Sequence, residues 1–422
     1  MYKYTDYYDK YGRIMQFNKN KSEPIHRWYP FVEGYSKEFI QSIIKECKLK
    51  PNMCLEPFSG SGTTALELQD MGIRCYSFEV NPLMYLVAKV KMESNYDKDT
   101  IISYHKMVKS TRCKIRKVNL SSEFPTLYEN DAVKKWNYHK ETANAIEKLK
   151  RSINKIDRIV YRNLFEIALA AILLDVSNMY RNGKCLSYKK DWKDRIIKEE
   201  DVFKRFDDKI KMQIEDIENR KKIEISNKDL LFNEDSRQVI SSKIEDNSID
   251  LIITSPPYLN SRDYTDTYML ELRTLNFTLT NTDVRKLRER TLRSHVQIKW
   301  KDSDMVDNQM LRRTLLDLKN AASVESMWNN SIIDMVRLYF VDMKIIFDSM
   351  YKKMKKGGRV YFNVSNSAYF KILVNTLEIC SSLAEDTGFK VKEIRKAREL
   401  KTSPQQQKEV GKLLEGVIVL EK

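Results

Sequence analysis

The sequence predicts an open α/β sheet with helices between its strands and a long helical insertion. Three stretches carry this expectation. The apolar run Ile249-Asp250-Leu251-Ile252-Ile253 suits a buried strand, and it stops at Ser255 because Pro256 and Pro257 cannot continue it. Met53 to Glu56 reads as a short strand, followed by a glycine turn at Gly60 and Gly62, a helix to about Met71, and a strand from Arg74 to Glu79. The chain finishes as helix, Gly357-Gly358, strand, helix, strand, loop, strand. Strands alternating with helices build a mainly parallel sheet covered on both faces.

Taken in order, Ser36 to Leu49 places apolar residues at 39, 40, 43, 44 and 47, one face of a helix, and Pro51 marks its exit. Gly60 and Gly62 allow a tight turn, and Thr63 or Thr64 can cap the helix that follows. Asn81 to Met92 is a second helix. Residues 95–225 read as long charged helices, notably Ile159 to Met179 and Asp191 to Lys222, inserted between the second and third strands. The sheet is expected to resume near Ile223. After Tyr258 comes a helical region and then a long helix, Val324 to Lys355, stopped by Gly357-Gly358. Arg359 to Val364 is a strand, Ala368 to Leu383 a helix, and Phe389 to Arg395 and Glu415 to Leu420 the last strands.

Composition narrows the function classes. With 42% hydrophobic residues in 422, the chain can bury a sizeable core. No run approaches the ~18 consecutive apolar residues of a membrane span, and the polar N-terminus lacks the apolar centre of a secretion signal. Six cysteines (47, 54, 75, 113, 185, 380) show no Cys-x-x-Cys spacing, so a reduced, cytoplasmic protein without a metal site is expected. The net charge is +16, a hint of nucleic acid. Residues 95–228 carry 31 Lys/Arg against 21 Asp/Glu, and residues 285–301 carry seven against one.

Chemistry concentrates at two turns. Neither Pro256 nor Pro257 has an amide proton, which leaves the Ser255 and Pro256 carbonyls as preorganised acceptors at the carboxyl end of a strand, where open α/β sheets bind ligands. With the Tyr258 ring beside them, they suit a flat group carrying an exocyclic NH2. Glu79 follows Gly62 by seventeen residues and is placed to take both hydroxyls of a ribose. A nicotinamide dinucleotide is disfavoured, because Thr64-Ala65-Leu66 stands where its third glycine would be.

Ser255-Pro256-Pro257-Tyr258 resembles motif IV of the amino-directed DNA methyltransferases, which modify N4 of cytosine or N6 of adenine; the serine variant is commoner for cytosine. Phe58-Ser59-Gly60-Ser61-Gly62-Thr63 is similar to motif I of that family, which holds S-adenosylmethionine. The resemblance covers about 25–92 and 225–422. It implies a class I methyltransferase (Rossmann-like) mixed sheet with an antiparallel terminal hairpin. The catalytic domain would be 25–94 plus 225–422, with 95–224 a helical insertion and candidate recognition region, and 259–330 a further helical DNA-contacting region. It also implies cofactor contacts from Glu56, Phe58, Ser59, Gly60, Gly62, Thr63 and Thr64, and from Glu79, Val80 and Asn81. Leu230 to Arg237 resembles motif III, with Asp235 and Ser236 at the cofactor; Asp235 reads equally as a helix N-cap. His26 to Phe31, with Tyr29, resembles motif X. The order X, I, II, III, IV departs from a common arrangement in which motif IV precedes motif I.

The same resemblance implies a mechanism. Ser255 and the Pro256 carbonyl accept the amino protons and direct the nitrogen lone pair at the methyl group, a stabilisation aimed at the transition state. The base must be flipped out of double-stranded DNA, and Tyr258 is its stacking partner. No cysteine follows a proline in a loop, so attack on cytosine C5 is disfavoured. Candidate DNA contacts are Asn260, Arg262 and Tyr264; Arg181 and Lys184 on a turn at Gly183 that reads equally as a helix C-cap; and Arg285, Arg288 and Arg293, on a run that reads alternatively as a solvated face. The expected function is site-specific DNA methylation at N4 of cytosine. The alternatives are N6 of adenine, an RNA base methyltransferase, and a non-catalytic DNA-binding homologue. No nuclease constellation appears, so any restriction endonuclease is a separate protein, and the setting is a prokaryotic or phage-encoded system.

Overall fold

Eight strands form the central sheet: β1 (Tyr4–Asp6), β2 (Met53–Glu56), β3 (Arg74–Phe78), β4 (Leu231–Phe232), β5 (Ile249–Thr254), β6 (Met354–Ser365), β7 (Lys390–Lys401) and β8 (Lys412–Glu421). The computed structural model describes the chain except residues 1, 49, 184, 222, 260–262, 325–330 and 403–406. Strand order is β1-β7-β8-β6-β5-β2-β3-β4. Only β8 runs against its neighbours, pairing antiparallel with both β6 and β7. This is the mixed sheet of the class I methyltransferases, ending in the antiparallel hairpin β7–β8.

The helices are α1 (Lys37–Glu46), α2 (Thr63–Asp70), α3 (Pro82–Met92), α4 (Lys98–Lys114), α5 (Lys140–Ile153), α6 (Ile159–Val176), α7 (Glu199–Glu218), α8 (Ser236–Lys243), α9 (Asn281–Arg290), α10 (Gln309–Val324), α11 (Ile332–Lys353) and α12 (Thr376–Thr387). The period of two along the strands sorts the core. Cys54, Leu251 and Ile253 face Phe39 of α1 and Leu68 of α2. Leu55 and Ile252 face Ile240 of α8, Phe347 of α11 and Leu383 of α12. The insertion builds a third apolar cluster, in which Ile146, Phe165 and Phe206 share one core with Leu83 and Val87 of α3 and with Trp28. It is therefore packed onto the sheet domain and not tethered to it.

Several boundaries differ from the sequence reading. The sheet resumes at Leu231, because residues before it form a loop pinned by Asn227, whose side chain accepts from the Cys75 amide and donates to the Ala65 and Ile73 carbonyls. The helix expected at 324–355 runs from Ile332 to Lys353, and 325–330 lie outside the described residues. Gly357 and Gly358 do not stop it; they sit inside β6, where pairing with β5 jumps from Ile249↔Met354 to Leu251↔Arg359. Ala368 to Leu383 is not one helix. Phe370 and Lys371 both take positive φ, 50° and 63°, closing a hairpin of Ser367–Tyr369 with Ile372–Val374 before α12. The helices expected at 159–179 and 191–222 are shorter, and Met179–Asn182 pairs with Cys185–Tyr188 in a hairpin turned by Gly183, not a helix C-cap. The edge strand β1, parallel to β7, had no counterpart in the sequence reading.

Candidate active site

From β2 the chain goes one way to β3 and β4, and from β5 the other way to β6. The carboxyl ends of β2 and β5 therefore meet at the switch point of the sheet, where a crevice must open. A cavity of about 470 Å³ lies there. Both sequence motifs reach it.

The glycine loop after β2 folds back on β3. The Ser59 amide donates to the Phe78 carbonyl at 2.9 Å, and the Gly60 amide to Glu79 Oε2 at 2.7 Å. Glu79 Oε1 accepts from the Asn81 amide at 2.8 Å, so the carboxylate is fixed between two loops. Burial pushes its carboxyl up to about 7, against the pull of those amides. Asn81 also caps α3, accepting from Leu83 and Met84. Phe58, Ser59, Gly60, Thr63, Thr64, Val80 and Asn81 all line the cavity with Glu79. Gly62 does not; its φ is +82°, and a Cβ would stand 2.7 Å from that of Ala88, so it serves the packing of α2 on α3. Gly62 is also the N-cap, and neither Thr63 nor Thr64 caps.

Glu56 is 1% exposed and does not line the cavity. Its carboxylate accepts from Tyr35, Thr64, Thr254 and the Phe58 amide, tying β2, α2 and β5 together. Burial pushes it up to about 7. Tyr29 is also away from the cavity, fully buried, with its hydroxyl on Glu271 at 3.1 Å. The aromatic that segment contributes is Phe31, stacked on Tyr268 with rings 2° from parallel. Asp235 and Ser236 line the cavity beside the glycine loop. Asp235 also caps α8 and holds the Arg237 guanidinium at 2.6 Å.

The far wall holds Ser255, Pro256, Pro257, Tyr258 and Tyr264. The Tyr264 hydroxyl accepts from the Tyr258 amide at 2.9 Å. The Tyr258 hydroxyl donates to Glu415 at 2.5 Å and accepts from Asn363 at 2.6 Å. Asn363, Glu415 and Arg398 were not among the expected site residues. An asparagine within Val360-Tyr361-Phe362-Asn363-Val364 and an acid opening the apolar run of β8 were the available signals.

The expected DNA cations are mostly engaged elsewhere. Arg181 pairs with buried Glu271 at 2.7 Å, Arg288 with Asp263 and Asp266, and Arg293 with fully buried Asp342 at 2.7 Å and with Asp302. Arg285 is exposed and, among the described residues, pairs with Glu289 one turn on. Lys184, Asn260 and Arg262 lie outside the described residues. No group of ligating side chains that could hold a metal occurs among the described residues, and no helix among them is long and apolar enough to cross a membrane.

The donor set suits a nucleoside bearing a charged sulfur substituent. It offers a carboxylate for a ribose, an aromatic wall at Phe31, and a buried Ser59 hydroxyl without a partner among the described residues. No family model matches the chain. It is similar to the Type II methyltransferase M.AvaI of Nostoc sp., 28% identical over 412 residues, covering 90% of this chain and 82% of that protein. The M.AvaI of Anabaena variabilis matches equally. The Type II methyltransferase M.BsoBI of Geobacillus stearothermophilus is 26% identical over 449 residues, covering 94% and 84%. With both motifs at one switch-point cavity and relatives that align along most of its length, the chain is similar throughout to S-adenosylmethionine-dependent DNA methyltransferases.

Proposed function

We propose that the chain methylates N4 of cytosine at a specific sequence in double-stranded DNA. The observation that carries the choice of base is Ser255, a neutral residue, at the position where an aspartate more often accompanies adenine. When bound, S-adenosylmethionine supplies a methyl group on a sulfonium open to direct attack. Glu79 would hold its ribose, Asp235 its adenine amino group, and the loop from Phe58 to Thr64 its remaining contacts. Across the cavity, Ser255 and the Pro256 carbonyl accept hydrogen bonds from the amino group of the flipped base, and Tyr258 supports its face.

The insertion at 95–224 is assigned to DNA recognition, together with the helical region 259–330. A cognate endonuclease, if the system has one, is a separate cytoplasmic protein. The deciding experiment methylates DNA with the purified protein, digests it to nucleosides and weighs them. N4-methylcytosine is the expected product. N6-methyladenine would reassign the base, and 5-methylcytosine would overturn the chemistry.

A further inference from the structure

Transfer to an amino nitrogen leaves that nitrogen with one proton too many. An aspartate facing it could take the proton directly, whereas Ser255 is neutral and can accept one only by passing its own onward. The structure holds a route. Ser255 Oγ donates to the Tyr258 hydroxyl at 3.4 Å, a long contact of the kind that tightens when a substrate closes the site. The Tyr258 hydroxyl donates to Glu415 Oε1 at 2.5 Å. Glu415 is 1% exposed, opens onto the same cavity, and has its other oxygen paired to Arg398. The Asn363 amide nitrogen lies within reach of the Ser255 and Tyr258 hydroxyls and Glu415, at 3.3, 2.6 and 3.3 Å, and so sits beside all three. Burial and the neighbouring Glu415 charge raise the Tyr258 phenol well above its ordinary range, so it stays a donor.

We propose that Glu415 is the terminal acceptor of the proton released by the methylated amino group, reached through Ser255 and Tyr258. The nitrogen lone pair forms the bond to the methyl carbon as the carbon–sulfur bond breaks with its electrons to sulfur. The surplus proton passes from nitrogen to Ser255 Oγ, the serine proton to the Tyr258 oxygen, and the tyrosine proton to Glu415, which becomes a neutral acid. Arg398 stays paired to the other Glu415 oxygen throughout. The charged and titratable groups facing Glu415 are the Tyr258 phenol from the loop after β5 and Arg398 from β7, while Asn363 from β6 is neutral. This rests on amino-group methylation as the reaction.

The test compares wild type, Glu415→Gln and Tyr258→Phe as full-length proteins, with unmethylated plasmid DNA and tritiated S-adenosylmethionine. Single-turnover transfer should slow about 100-fold in each variant while cofactor and DNA dissociation constants stay unchanged. A solvent deuterium isotope effect on that rate should be present in wild type and lost in both. Without cofactor or DNA, the Tyr258 Cζ resonance of ¹³C-tyrosine protein, identified by its loss in Tyr258→Phe, should follow Glu415 protonation in wild type and not in Glu415→Gln. Tyr258→Phe keeps the ring and cuts the route in the middle, so it decides the matter even if Glu415→Gln folds poorly. An unchanged rate in either variant overturns the relay. So does a slower rate that keeps the isotope effect, since Glu415 would then only hold the ring. A wild-type product without a methylated amino group overturns the underlying reaction, a result visible before any variant is made.

Discussion

At the scale of single residues, charge and burial decide what each group can do. Glu79 carries a carboxyl raised to about 7, so in the free protein its ionised form is the disfavoured one. The stability gained from its protonated form is complete below the unfolded carboxylate range and lost as pH rises through about 7. Ribose hydroxyls donate to the ionised form, so binding should reverse that preference. Below about pH 7, cofactor affinity should fall about tenfold per pH unit, with proton release on binding. Calorimetry in buffers of different ionisation enthalpy measures both, and Glu79→Gln should bind weakly with no pH slope. Two arginines of one basic run should separate in the same way. Arg293→Ala leaves Asp342 buried with Arg237 and the amide of residue 293 as partners, and should cost about 3 kcal/mol of stability. Arg285→Ala should leave the melting temperature alone and lower the salt slope of DNA binding by about one. Denaturation and salt-dependent anisotropy would tell them apart.

Between residues and the whole, elements are joined by a few buried polar groups. Glu56 receives donors from three hydroxyls and one amide on different elements, which fixes the ends of β2 and β5 against α2. Glu56→Ala strands those donors in the core and should destabilise the protein by about 3 kcal/mol, lowering cofactor affinity because the loop at Gly60 loosens with it. Urea denaturation beside calorimetry checks both. Elements whose signal is local were legible in the sequence: the strand stopped by Pro256-Pro257, the glycine turn, and the helix α3. What failed was non-local or locally misleading. Phe370 and Lys371 adopt positive φ without a glycine or asparagine to announce it. Gly357-Gly358 looks like a helix stop and is a strand irregularity. Of the residues expected in the two motifs, most line the cavity but Gly62 and Glu56 do not; Phe31 lines it where Tyr29 was expected, and Asn363, Glu415 and Arg398 form one chain of contacts beside Tyr258 because β6, β7 and β8 are neighbours in the sheet. Arg293 looked free in a basic run because its partner Asp342 is 49 residues away.

Across the whole molecule, the insertion is the feature that makes DNA specificity a question of architecture. Its helices share a core with Leu83, Val87 and Trp28, so deleting 95–224 would expose the back of α3 and test folding instead of recognition. Its hairpin is the better probe. Gly183, at the turn, lines the same cavity as Ser255. Alternation along the strand turns Arg181 inward to Glu271, while Tyr180 and Asn182 face solvent, and Tyr180 is 43% exposed. An exposed aromatic ring three residues from the cavity-lining Gly183 offers a stacking surface to a nucleic-acid base. Tyr180→Ala should weaken DNA binding about tenfold, the value of one stacked base at the low end. Its cofactor dissociation constant should not move, since Tyr180 does not line the cavity. Anisotropy with labelled duplex and calorimetry with S-adenosylmethionine read the two separately. A change in the cofactor constant instead would place the hairpin in the wall of the cofactor site and remove it from DNA recognition.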